Sequence, residues 1–205
     1  MPRPARVSPD RIIAAAAVEF AARGFGGARV DRIARRARVN KAMLYYHFKS
    51  KQGLYRALLR RTFSLAAARF QAIAASDAPP AEKVDRVIAG LAALIRDEEF
   101  FPAIMMREVA EGGAHLDRET LLTLAGVPRA VGALVQQGIA EGAFRDVNPL
   151  FAYLSMLAPI VFYLAAGPIR TELGALHLEN LEPLPIDDFV QHMQETVRRA
   201  LVRTS

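Results

Sequence analysis

The 205-residue sequence contains no cysteine, which excludes a disulfide framework, thiolate zinc sites and a cysteine nucleophile, and fits a reducing compartment. No run alternates polar and apolar residues for long, so a β-sheet is not expected, and no internal repeat is visible. Phosphate-cradling patterns of the GxGxxG or GxxxxGK[ST] type are missing, as is HExxH spacing. The four histidines, His47, His115, His177 and His192, are far apart, and Asp97-Glu98-Glu99 reads as a solvated helix end. An enzyme, a metal centre and a cofactor are therefore not expected. The basic stretch MPRPARVSPDR is followed by no clean apolar segment with a small-residue cleavage site, so a cytoplasmic location is the expectation. Leu150 to Gly167 carries no charge, but it is short for a bilayer core of about 30 Å and contains Pro159. It reads as a buried interface helix, with no membrane partner.

What is present is apolar bulk and an uneven charge. Hydrophobic residues make up 52% of the chain, enough to exclude a wholly disordered protein and to build a full core. The net charge of +6 and the pI near 10.0 hide a division. Residues 1–61 hold fifteen bases against three acids, a net of +12. The remaining 144 residues hold twelve bases against eighteen acids, a net of −6. A basic head on an acidic body points to a polyanion partner for the head, with nucleic acid ahead of an anionic membrane surface.

Helix signals run through the whole chain. Ser8-Pro9-Asp10 combines an N-cap, a proline at the first helical position and an acid in the first turn, and Gly24 supplies a left-handed stop, giving a helix over 9–23. Val30, Ile33, Ala34 and Ala37 form a short apolar stripe over 30–37. After the Arg38-Val39-Asn40 break, Asn40 caps a helix over 41–47 with Leu44 and Phe48 on its core face. Ser50 caps a fourth helix that runs to about residue 75. Further helices are expected over 81–97, from Phe101 to about Gly112, over 117–141 with a bend or break at Pro128, over 148–166 and over 186–202. Residues 167–185 read as an irregular connection. The expected fold is all-α, about nine helices, with a three-helix DNA-binding domain over 1–55 and a larger ligand-binding and dimerisation domain over 56–205.

Two short helices joined by a three-residue turn and braced by a third make a helix-turn-helix, whose second helix enters the DNA major groove. The residues Gly24-Phe25, Val30, Ile33-Ala34, Ala37, Val39-Asn40-Lys41, Leu44-Tyr45-Tyr46-His47-Phe48-Lys49-Ser50-Lys51 and Leu54 carry a specific resemblance. Over residues 9–58 the sequence resembles the N-terminal DNA-binding domain of the TetR family of bacterial transcriptional regulators. That resemblance implies a ligand-responsive, sequence-specific regulator, most often a repressor, working as a homodimer on a palindromic double-stranded DNA operator. It implies Tyr45 and Lys51 as phosphate contacts and Lys41, Ala42, Met43 and Tyr46 as the base-reading set. Arg29, His47 and Lys49 are expected to complete the DNA face, with a core role as the alternative for Tyr45 and a structural one for His47. Lys41 is expected to reach either a guanine edge or a phosphate, and Met43 either reads a base or packs on a thymine methyl or sugar. Three positions depart from the family pattern: Arg29 replaces a capping Thr or Ser, Arg38 a turn Gly, and Gly53 an acid. The competing expectation is a nonspecific DNA-coating protein without a small-molecule ligand.

In the body, Phe189, Val190, Met193, Val197, Ala200 and Leu201 form a stripe expected to meet a second copy of the chain. Phe100, Phe101, Met105, Met106, Phe144, Tyr153, Met156, Phe162 and Tyr163 are candidates for core or for an apolar effector pocket, methionine being the most adaptable lining. From these, Phe101, Met105, Met106, Tyr153, Phe162 and Tyr163, with His177, are the expected ligand-binding set. Tyr163, His177, Arg107 and Glu108 are the candidate polar anchors.

Overall fold

The computed structural model describes residues 8–176 and 185–203. Among the described residues there are ten helices and no strand beyond one isolated bridge between Phe144 and Val202. The head comprises α1 (Pro9–Gly27), α2 (Val30–Arg36), α3 (Lys41–Phe48) and the start of α4 (Lys51–Ala74). The body comprises the rest of α4 with α5 (Pro80–Asp97), α6 (Phe101–Ala110), α7 (Arg118–Ala140), α8 (Pro149–Ala165), α9 (Gly167–Ala175) and α10 (Ile186–Leu201).

The caps lie where the sequence puts them. Ser8 accepts from the Asp10 N–H, Asn40 from the Met43 N–H at 2.8 Å, and Ser50 from the Gly53 N–H at 2.9 Å. Gly24 interrupts α1 at φ 65, ψ 177, a backbone conformation that residues with a Cβ rarely adopt, and the chain makes one more turn before α2. Buried apolar side chains fall into two clusters. The head cluster gathers Ile12, Ala16, Phe20, Ile33, Leu44, Leu54, Tyr55, Leu59 and Phe63, and it also takes Ile104 from α6. The body cluster joins Phe70 of α4 to Ile88, Leu91 and Ile95 of α5, Val131 and Leu134 of α7, Met156 and Ile160 of α8, and Val197 of α10. A single helix, α4, contributes to both.

Two expectations change. Pro128 does not break α7, which is helical throughout; the buried face of Val127, Ala130, Val131 and Leu134 holds the segment together across the missing N–H. The stretch after Gly167 is helix rather than irregular chain, because Pro168 sits in the first turn, where its lost donor is not needed. No residue of α9 is buried, so no apolar period marked it. The α10 stripe turns inward. Val190, Met193, Val197 and Leu201 are buried in the chain's own core, and Phe189 stacks flat on Tyr163 with centroids 4.1 Å apart. Those five residues pack on α5 and α8 within the chain, while Ala200 of the same stripe is exposed. Among the apolar side chains left exposed in the body, α8 and α9 contribute Leu150, Phe151, Leu154, Phe162 and Ile169, beside Leu65 of α4, Met106 and Val109 of α6, and Leu121 and Leu122 of α7. Among the described residues no single helix is long and apolar enough to cross a membrane; α8 and α9 together have the length and composition but are bent by 54°.

Candidate nucleic-acid interface and body cavity

Helix α3 is held by one buried side chain, Leu44, while Lys41, Ala42, Tyr45, Tyr46 and Lys49 are exposed. Tyr46 is 71% exposed, which for an aromatic residue on a small helix leaves a large apolar face open to solvent. Met43 and His47 are half-buried, and Met43 packs against the head cluster, so it combines core and surface roles. The two non-glycine residues with positive φ among the described residues, Arg38 (φ 52) and Lys49 (φ 63), flank this helix on either side. Such conformations cost about 1–3 kcal/mol each and persist where surrounding structure imposes them. Arg38 thus accepts the left-handed turn that glycine usually serves. Lys49 donates to the Tyr46 carbonyl at 3.0 Å and lies over the Tyr46 ring.

Gly53 is explained by contact. A Cβ there would stand 2.1 Å from the Phe48 carbonyl oxygen, so α4 can start this close to the end of α3 only with glycine. No side chain caps α2, but Glu19, reaching over from α1, accepts from the Arg29 N–H at 3.2 Å and from Arg32 Nε at 2.7 Å and so ties the start of α2 to α1. Burial opposes ionisation of Glu19, but these two donors outweigh it and hold the carboxyl below the usual glutamate range. Arg29 itself is left exposed on the head surface.

Two further candidate cations have partners within the chain. Lys41 Nζ meets Asp31 Oδ1 at 2.5 Å, joining α3 to α2, and this hydrogen bond raises the Lys41 pKa. Lys51 Nζ donates to the carbonyls of Phe25 at 2.8 Å and Ala28 at 3.2 Å and lies over the Phe25 ring. It ties the end of α1 to the start of α4, a structural task that spacing could not reveal.

Of the expected ligand-binding set, Phe101, Met105 and Tyr153 come together on one cavity of about 200 Å³. Thr62, Phe63, Ala66 and Phe70 of α4, Leu91, Leu94 and Ile95 of α5, Leu124 and Val127 of α7, and Leu157 and Val161 of α8 complete its wall. Thr62 donates its hydroxyl to the Leu58 carbonyl, so the polar character of the wall rests on the Tyr153 phenol, which burial pushes up to about 12 and keeps neutral. The other expected residues lie elsewhere. Met106 and Phe162 are exposed, Tyr163 is packed between Phe189 and Arg170, and His177 lies outside the described residues. Arg107 is exposed beside α1 and Glu108 is buried against Tyr55, both away from the cavity. The wall residues from α4 and α5 were missed by sequence reasoning, since a lining leucine and a core leucine carry the same periodic signal.

An exposed, basic second helix of a helix-turn-helix, joined by one long helix to a body with an apolar cavity, defines a DNA-binding regulator. Residues 12–58 match the family described as bacterial regulatory proteins, tetR family, and residues 80–183 match the tetracyclin repressor-like C-terminal domain. The chain belongs to the TetR family of ligand-responsive, DNA-binding transcriptional regulators. It is 28% identical over 159 residues to the transcriptional repressor NicS of Pseudomonas putida, covering 75% of this chain and 74% of that one. It is 27% identical over 157 residues to the regulator RutR of Escherichia coli K12, covering 77% and 74%. Among solved structures, FadR of Bacillus halodurans, a fatty acid degradation regulator, aligns with TM-score 0.74 at 15% identity over 96% of both chains. FadR of Bacillus subtilis, solved with stearoyl-CoA, aligns with TM-score 0.73 at 16% identity, covering 93% of this chain and 97% of that one.

Proposed function

We propose that this protein is a homodimeric repressor whose two α3 helices read a palindromic operator, and which leaves that operator when a small apolar molecule, or the apolar segment of a larger one, enters the body cavity. The observation that carries the reading is the double membership of α4. Its Phe63, Ala66 and Phe70 form cavity wall, while its first turn sits against the Phe48 carbonyl at the end of α3. A 24-residue helix spans about 36 Å. A ligand that displaces the cavity wall therefore displaces the seat of the recognition helix, and two heads on one duplex must hold a spacing of about 34–36 Å.

The exposed α8 side chains Leu150, Phe151 and Leu154 supply apolar area for the contact between copies, with α10 beside them. On the DNA face, Tyr45 bonds phosphate, and Lys41, Ala42, Met43 and Tyr46 face base edges once Lys41 exchanges Asp31 for DNA. Arg29, His47 and Lys49 add backbone contacts. The FadR complex with stearoyl-CoA supports an acyl effector. At about 200 Å³ the cavity is below the roughly 300–1,000 Å³ of pockets for drug-sized ligands, which favours a short acyl chain. The test is anisotropy of a labelled duplex from the protein's own upstream region, titrated with acyl-CoA thioesters of increasing chain length. Release by short and medium chains, abolished by Leu94→Phe with DNA affinity retained, is expected. Equal indifference to every chain length would remove the acyl effector from the account.

A further inference from the structure

A second cluster lies at the joint between head and body, away from the cavity. Glu108 and Glu111 stand one turn apart at the end of α6, and His115 follows in the loop before α7. One potential ligand atom from each lies within 4.8 Å of the others. His115 Nδ1 is 2.7 Å from Glu108 Oε1 and 3.3 Å from Glu111 Oε2. The Tyr55 hydroxyl of α4 donates to Glu108 Oε1 at 2.8 Å, a bond that together with burial raises the tyrosine's own pKa far above its ordinary value. The other oxygen of the same carboxylate, Oε2, is buried without a hydrogen-bond partner, on a residue only 1% exposed. A carboxylate oxygen in the interior ordinarily has a donor, a water or an ion beside it.

We infer that Glu108, Glu111 and His115 form a site for a borderline divalent cation of the zinc class, with one imidazole and two carboxylate ligands. Ligand atoms at about 2.0–2.2 Å from a tetrahedral zinc lie roughly 3.3–3.5 Å from one another. The His115–Glu111 separation already meets this, and the His115–Glu108 contact opens by several tenths of an ångström when the cation replaces the shared proton. Glu111 is half-exposed, which gives an entry path and leaves a fourth position to water. Tyr55 holds Glu108 Oε1 from the second layer, the arrangement that orients metal-binding carboxylates. Imidazole selects zinc over magnesium, which prefers oxygen and keeps its waters. Because His115 lies against Phe25 of α1, with centroids 4.1 Å apart, and Glu108 bonds α4, an ion here fastens the body to the head.

The experiment is calorimetric titration of the full-length chelator-treated protein with zinc chloride, and separately with magnesium chloride, alongside thermal unfolding. One zinc per chain is expected, with a rise in melting temperature, and at least tenfold weaker binding in Glu111→Gln and in Tyr55→Phe. Glu111→Gln carries the test because its side chain is half in solvent and its loss does not threaten the fold; His115→Gln is the second variant. Exposed His192→Gln leaves the titration unchanged. Zinc binding weaker than roughly 100 µM, equal competition by magnesium, or stoichiometric zinc binding unaltered in both Glu111→Gln and His115→Gln overturns the site.

Discussion

The head and the body bury apolar side chains equally well but leave different things on their surfaces. The head exposes charge and aromatic rings around one short helix, with strained Arg38 and Lys49 on either side of it. The body exposes an apolar strip on α8 and encloses a cavity. The head's proposed DNA face is carried by what projects outward, which residue type and spacing can suggest. As proposed, the body works through an empty volume and through the side of a helix left over, and these emerge only when all helices are packed.

Substitutions that break this contrast separate fold from reading. The largest effect is expected for Gly53→Glu, which restores the family's commoner acid. The new Cβ meets a backbone carbonyl that cannot yield, so destabilisation should fall at the upper end of about 1–3 kcal/mol, with DNA binding lost by anisotropy. Lys51→Ala comes next. It strands two carbonyls and should cost about 1.5–3 kcal/mol in denaturant unfolding, whereas Tyr45→Phe should leave stability unchanged and weaken all duplexes alike. Lys41→Ala should alter preference at a single operator position by about 1–3 kcal/mol. A uniform loss over all sequences would assign it to phosphate instead.

The smallest effect is a pH dependence at Glu19. Its carboxyl titrates below the ordinary range in the folded chain, so the unfolded state takes up a proton first as pH falls. The stabilisation is present above the ordinary glutamate value and disappears as pH drops through the lowered folded value. Glu19→Gln should therefore reduce stability by about 1 kcal/mol near neutrality and flatten the acid limb of the unfolding profile.

The helix-turn-helix was legible because caps, turn residues and short-range periodicity are local: Asn40, Ser50 and Gly24 act within four residues of themselves. The tie between Glu19 and the start of α2 was not legible, since it joins residues on different helices. Lys51 shows the same limit from the other side. The family resemblance implied a phosphate contact for it, and the packed structure adds two carbonyls beneath it. In the body, the α10 stripe has the same amphipathic pattern whether it covers its own core or a partner's. That Val190, Met193, Val197 and Leu201 pack on α5 and α8 depends on those helices, which the α10 sequence does not encode.

The central claim is sequence-specific reading by the head. Competition between the palindromic duplex beside the protein's own coding region and a random duplex, at physiological salt, tests it directly. The account predicts a preference of roughly 10³-fold or more for the palindrome, with affinity for both falling steeply as salt rises. Equal affinity for the two duplexes would contradict it and leave a protein that coats DNA without reading it.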